Sequence, residues 1–319
     1  MEVIQVFDRP AFQSFYSIAG RLLVIESHDR ELRNLIVDLF AGWQLTPVSL
    51  PDRSPDIRIS FSCTEVQPSI PRDLDQFEIA EGGKCYTGAT GLYLELGGAM
   101  VHLENGSPVS VAVLFSELPR VGDPLLGRVV SFAVCAALRR YGLFEMHSAG
   151  VVEPESGNGV LIIGPSGSGK STLALELVKA GWSYLSDDEL LLSLVAGVVE
   201  ARGFRSFFAV SEAGAAFKHC FEPEVVLRSK RTEHAVPGLL LFIHLNGSSQ
   251  SQLNRLTQAE TMTRLLRSCP WATYDRSVAG DNLGLLSALA RQASGFDLAA
   301  GRDLLDPGFA ASLLSAIPS

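Results

Sequence analysis

The chain has 319 residues, 47% of them hydrophobic, and a net charge of −9, which suits two domains with a substantial core and excludes a disordered chain. The acidic balance argues against a nucleic-acid surface, and five scattered cysteines, Cys63, Cys85, Cys135, Cys220 and Cys269, odd in number and without a Cys-x-x-Cys pair, suggest neither a disulfide framework nor a zinc site. No apolar stretch approaches the roughly 20 residues of a membrane span, and Glu2, Asp8 and Arg9 break the order of a signal peptide; the expectation is a cytoplasmic protein with no membrane or nucleic-acid partner.

Residues 1–122 read as short alternating segments separated by turn chemistry: 22–25, 56–61, 86–96 and 109–115 as strands, interrupted by a helix over 30–41. Proline-containing stretches at 51–55 and 68–71 read as loops, and 117–124 as a linker. The expectation is an N-terminal α+β domain over 1–122 and a second domain over 123–319. Apolar residues at helical spacing, Leu126, Val129, Val130, Ala133 and Leu138, predict a helix over 125–141 that opens this second domain.

His147 precedes an apolar strand that turns through 153–158 into a second strand, 159–163, so a hairpin returns His147 to the far end of that second strand. Then comes Gly164-Pro165-Ser166-Gly167-Ser168-Gly169-Lys170-Ser171-Thr172. Small residues let consecutive backbone N–H groups converge on phosphate oxygens, while Lys170 reaches the β/γ-phosphates and Ser171 offers a hydroxyl to Mg²⁺. Leu173, Leu177 and Ala180 then recur on one helical face before Gly181, which supplies the helix the motif needs. NTP binding follows as the working expectation.

A short strand from Trp182 ends in Asp187 and Asp188, and ligands of open α/β sheets lie beyond the carboxyl ends of strands. A carboxylate there could hold Mg²⁺ or take a proton from an attacking hydroxyl. Alternation places Glu200 and Arg202 on one side of a strand, one suited to a metal and the other to phosphate charge. Further strands are predicted over 189–195, 197–200 and 239–245, and helices over 258–266 and 282–293.

The series of a histidine before a strand, the glycine-rich loop, Ser186-Asp187-Asp188 and Glu200-x-Arg202-Gly203 resembles the catalytic domain of the HPr kinase/phosphorylase family over about residues 140–245. The resemblance implies an α/β P-loop catalytic domain of the HPr kinase/PEP carboxykinase-like type. It implies a serine kinase using ATP and Mg²⁺, with Asp187 taking the hydroxyl proton beside His147. Lys170 would stabilise the transferring phosphoryl group, Ser171 and Glu200 would be metal ligands, and Asp188 would support Asp187 or a metal-bound water. Arg202 is carried over as catalytic, and the loop residues Gly164 to Thr172 as nucleotide-binding.

The sequence departs from the family where Phe204-Arg205 follow Gly203, and the basic run Arg228-Ser-Lys-Arg231 matches its arginine loop only loosely. The tail Gly295 to Leu304 is similar to that of stand-alone relatives that phosphorylate a precursor peptide. A peptide or small protein is therefore the expected acceptor, the N-terminal domain its recognition or docking module, and homo-oligomerisation, common in such relatives, an open state. The alternatives are a kinase for a small molecule such as free serine, and a non-catalytic ATP-binding regulatory module.

Overall fold

The computed structural model describes residues 12–49, 51–64, 69–79, 82–88, 91–211, 218–227, 230–315 and 317. Glu2, Asp8, Arg9, Pro68 and Arg228, named above, lie outside them. Two compact units emerge: Met1–Leu143 with Trp271–Gly280, and Phe144–Pro270 with Asp281–Ser319. The division thus falls after Leu143 and not near residue 122, and the first unit is completed by a segment from late in the chain. Among the described residues no helix is long and apolar enough to cross a membrane.

The first unit is a mixed sheet with helices. Its strands are β1 (Phe12–Ile18), β2 (Arg21–Ser27), β3 (Thr46–Val48), β4 (Ile57–Cys63), β5 (Asp75–Ile79), β6 (Gly83–Thr87), β7 (Gly91–Leu96), β8 (Ala99–Glu104) and β9 (Val109–Phe115), in the order β3-β1-β2-β4-β9-β8-β7-β6-β5. The segment expected as one strand over 86–96 is two, β6 and β7, paired antiparallel. Helix α1 (Arg30–Phe40) starts where the Asp29 carboxylate accepts the N–H groups of Glu31 and Leu32, and buries Leu32, Ile36 and Phe40.

Helix α2 (Pro124–Arg139) is capped by Asp123 with Pro124 in its first turn. The apolar spacing predicted this helix, but it packs on β8, β9 and β4 and therefore belongs to the first unit, not the second. At its end the buried Arg139 and its neighbour Arg140 both donate to one oxygen of Asp275, at 2.9 and 2.5 Å. Trp271, in the short helix Trp271–Tyr274, lies under the Arg139 guanidinium, 4.6 Å from it to the ring centroid. This ion pair and cation–π contact hold the late segment in the first unit.

The second unit begins with β10 (Phe144–Met146), β11 (Ser148–Val152) and β12 (Gly159–Ile163), followed by α3 (Lys170–Lys179), β13 (Ser183–Ser186), β14 (Leu190–Val195) and β15 (Val198–Gly203). After β16 (Phe208–Ser211), β17 (Lys218–Phe221) and α4 (Pro223–Val226) come β18 (His234–Ala235), β19 (Pro237–Leu245), β20 (Gln252–Arg255) and α5 (Gln258–Ser268). The helix Ala279–Gln292 from Asp281 onward, β21 (Ser294–Ala300), a 3₁₀ turn Arg302–Leu305 and the helix Phe309–Ser315 complete it. One sheet has the order β13-β11-β12-β19-β21-β20; another is β10-β14-β15-β18.

Alternation along the six-stranded sheet sends Ala149, Val151, Val160, Ile162, Leu241, Ile243, Phe296 and Leu298 to one face, where they form a core with Leu173 and Leu177 of α3 and Leu314. On the other face α5 comes so close to β21 that a Cβ on Gly295 would sit 2.2 Å from Thr261 Oγ1. β12, β19 and β21 run parallel, and β13, antiparallel to β11, points the same way as β12. Four strands therefore deliver their carboxyl ends to one edge, and the first residue of the antiparallel β11, Ser148, sits beside the last of β12, Ile163.

Candidate functional site

The loop Gly164–Gly169 leaves β12 at that edge, and its glycines have separate physical reasons. A Cβ on Gly164 would lie 2.5 Å from the Ile243 carbonyl oxygen and 2.6 Å from Ser168 Oγ, so only hydrogen fits. Gly167 and Gly169 have φ of +79° and +97°, the left-handed conformation that lets the chain reverse tightly into α3. No side chain caps the first turn of α3, so its N–H groups and its positive end are available to an anion. Lys170 is only 5% exposed, and its Nζ donates to the carbonyls of Gly164 and Pro165 at 2.8 and 3.0 Å. The loop thus folds round its own lysine.

A cavity of about 600 Å³ opens over this loop, within the range of small-molecule sites. Ser166, Gly167, Gly169, Lys170, Ser171 and Thr172 supply the floor. Asp188 and Ala209 stand on one flank; Leu245, Ser248, Ala300, Arg302, Leu304 and Leu305 form the other. The walls therefore come from beyond the ends of β12, β13, β19 and β21, as expected for an open α/β sheet. Pro165 contributes a carbonyl to Lys170, while Ser168 is buried beneath the loop.

The two aspartates after β13 have opposite surroundings. Asp187 is 1% exposed; its Oδ2 accepts the Ala209 N–H at 2.9 Å, and its own N–H donates to Tyr184 Oη at 2.9 Å. Ser186 Oγ accepts the N–H groups of Phe204 and Arg205 and donates to the Glu189 carbonyl at 2.7 Å. These bonds tie the turn to the segment after β15. Burial, then the nearby Asp187 carboxylate, pushes the Tyr184 hydroxyl pKa up, so it stays a neutral donor and acceptor. Asp188 instead lines the cavity, about half exposed, at φ +71°, and its Oδ1 lies 3.3 Å from His147 Nδ1. A left-handed aspartate is uncommon, and such strain clusters at functional sites.

The sequence reading expected Asp187 to meet the reacting hydroxyl, with Asp188 in support. In this structure Asp187 is buried and braces the turn, whereas Asp188 lines the cavity beside His147. Glu200 and Arg202 do share a face of β15, as alternation requires, but β15 lies in the four-stranded sheet and neither residue lines the cavity. Arg202 Nη1 is 3.8 Å from Glu233 instead. Of the basic run, Arg231 pairs with Glu224 and donates to the Ser206 carbonyl at 3.1 Å, which braces the same segment from another side.

Residues that the motifs did not single out are Leu245, Ser248, Arg302 and Leu305. Arg302 has no side-chain hydrogen-bond or ion-pair partner among the described residues and lies on the flank opposite Asp188. Its turn is fixed by Asp303, whose carboxylate accepts the Ser251 N–H and hydroxyl at 2.8 and 2.5 Å. Gly301 is required there because a Cβ would lie 2.4 Å from the Gln250 backbone. The available signal was topological, since a turn after a strand parallel to β12 must reach the same edge.

Oxygen donors from Ser171 and Asp188 share the cavity and suit a hard cation such as Mg²⁺. Among the described residues no group of three or more His, Cys, Asp and Glu side chains is arranged to hold a metal by itself. The cavity thus offers anion-binding N–H groups, a lysine and a carboxylate within one space, with the His147 imidazole beside that carboxylate.

Comparison with known proteins yields no matching family model and no match among curated proteins. Among solved structures the chain is similar to the Hpr(Ser) kinase/phosphatase from Coxiella burnetii, at 17% identity and a TM-score of 0.28, over 35% of this chain and 77% of that one.

Proposed function

We propose that the protein is a kinase that transfers the γ-phosphoryl group of ATP to a serine hydroxyl of a peptide or small protein. One observation carries this reading: Asp188, with His147 3.3 Å from its carboxylate, lines the same cavity as Lys170 and Ser171 of the glycine-rich loop. The loop N–H groups and the α3 N-terminus hold the polyphosphate. On nucleotide entry the Lys170 ammonium exchanges its carbonyl partners for phosphate oxygens and offsets the charge of the transferring group.

The acceptor Oγ–H gives its proton to the Asp188 carboxylate, which His147 orients. The oxygen forms a bond to the γ-phosphorus as the bond to the β-phosphate bridging oxygen breaks, leaving ADP and a serine phosphate. Mg²⁺, held by the Ser171 hydroxyl, would supply charge neutralisation of the phosphates. Glu200 and Arg202, away from the cavity, have no step in this scheme. The first unit is proposed as the module that docks the acceptor.

Intact-mass analysis tests the proposal: the protein is incubated with Mg²⁺, ATP and a panel of serine-containing peptides and small proteins, with free serine as a separate arm. A gain of about 80 Da on a peptide or protein, absent with Lys170→Ala, is expected. A gain on free serine alone would replace the acceptor class, and nucleotide binding without transfer to any acceptor would leave a regulatory ATP-binding module.

A further inference from the structure

The two flanks of the cavity differ in chemistry. On the β13 side stand Asp188 and, paired with it, His147. On the β19 and β21 side Leu245, Ala300, Leu304 and Leu305 stand together with Ser248 and Arg302, so this flank alone offers large apolar side chains along with polar ones. Leu245 and Leu305 are 64% and 58% exposed, so two large apolar side chains face water at the rim of a polar site. A triphosphate laid along the loop leaves room for a nucleoside on one flank and an attacking group on the other. An acceptor hydroxyl needs the carboxylate; a purine, with two apolar faces, gains by leaving water against leucine side chains.

We infer that the β19/β21 flank is the nucleoside subsite, with Leu245 and Leu305 as the walls that hold the base, and that the acceptor enters from the Asp188 flank. The inference rests on the proposed nucleotide binding and adds which side of the cavity reads the base. Both leucines are exposed, so replacing them does not open the core. The helix Phe309–Ser315 that follows the 3₁₀ turn anchors the outer wall through Leu314, which is buried in the core with Leu304.

Calorimetric titration of the full chain with Mg·ATP and with Mg·tripolyphosphate separates the base from the phosphates. Wild type should bind ATP at least about tenfold more tightly than tripolyphosphate, and Leu245→Asn/Leu305→Asn should weaken ATP about tenfold while leaving tripolyphosphate within about twofold. The inference is overturned if ATP has no advantage in wild type, or if the double variant weakens both ligands alike or neither. Lys170→Ala tests the underlying reading separately: it should weaken both ligands, and if it weakens neither, or neither binds wild type, the phosphate site and this subsite fall together.

Discussion

His147 Nδ1 and Asp188 Oδ1 lie 3.3 Å apart, with Asp188 lining the cavity and each side chain about half exposed, while Asp187, just before Asp188 in the chain, is sealed from solvent. Asp188→Asn is therefore expected to lower phosphoryl transfer by about 10²- to 10⁴-fold with nucleotide affinity nearly unchanged, because it removes a proton acceptor and no loop contact. Asp187→Asn should instead lower stability by about 1–3 kcal/mol, since it disturbs a buried acceptor. Turnover and thermal melts of both variants decide it; a stable, inactive Asp187→Asn beside an active Asp188→Asn would reverse the two roles.

Gly164 and Gly181 make a controlled pair. At Gly164 an added methyl meets the Ile243 backbone, whereas Gly181 has φ +98° and open space around it. Gly164→Ala should destabilise by about 1–3 kcal/mol through overpacking and also abolish nucleotide binding. Gly181→Ala should cost about 1–2 kcal/mol from the left-handed backbone alone and bind nucleotide normally. Equal binding by the two variants would mean that the loop tolerates displacement.

Arg302 lines the cavity, and its side chain has no hydrogen-bond or ion-pair partner among the described residues. If its guanidinium serves the polyphosphate, Arg302→Ala weakens ATP and tripolyphosphate together, by about tenfold for one charge-assisted contact. Loss confined to ATP would assign the arginine to the nucleoside, and unchanged affinity for both would remove it from the site.

The turn that carries Arg302 should depend on pH. The Asp303 carboxyl sits below its ordinary range because the Ser251 hydroxyl donates to its charged form, an effect that desolvation opposes and backbone N–H groups reinforce. A lowered folded-state value means stabilisation that is complete above the ordinary Asp range, near about pH 4, and is lost as pH falls through the lowered value. Thermal melts of wild type and Asp303→Asn should differ at pH 7 and draw together as acidification carries the solution below the lowered value; a difference that does not shrink in acid would show that the charge is not what holds the turn.

Asp275 neutralises two arginines, of which Arg139 is fully buried. Asp275→Ala removes the buried carboxylate that both arginines share and should cost about 3–5 kcal/mol in urea-unfolding experiments. A loss below about 1 kcal/mol would mean that the cation–π contact with Trp271 and the remaining hydrogen bonds suffice.

What the sequence revealed divides along a physical line. The β12, loop and α3 unit was readable because everything that specifies it lies within one short run: an apolar strand, glycines at positions with no room or left-handed φ, and an amphipathic helix. The Asp187–Asp188 distinction was not, because it turns on one backbone torsion and on the Ala209 N–H far along the chain. Alternation correctly paired Glu200 with Arg202 on a face but could not say which sheet that face belongs to. Leu245 and Leu305 join the loop only through the parallel pairing of β12, β19 and β21, which no local pattern encodes. The helix over 125–141 was legible as a helix, yet its partners, β4, β8 and β9, decide which unit owns it.

The late segment of the first unit also sets a timetable. During synthesis Arg139 emerges 136 residues before the aspartate that neutralises it, so the ribosome delivers most of the second unit before the first can close. A chain cut after Leu143 would present a buried-type arginine with neither Asp275 nor Trp271 to meet it. Domains usually mature in the order they are made; here the one begun first is finished only after most of the other has been translated.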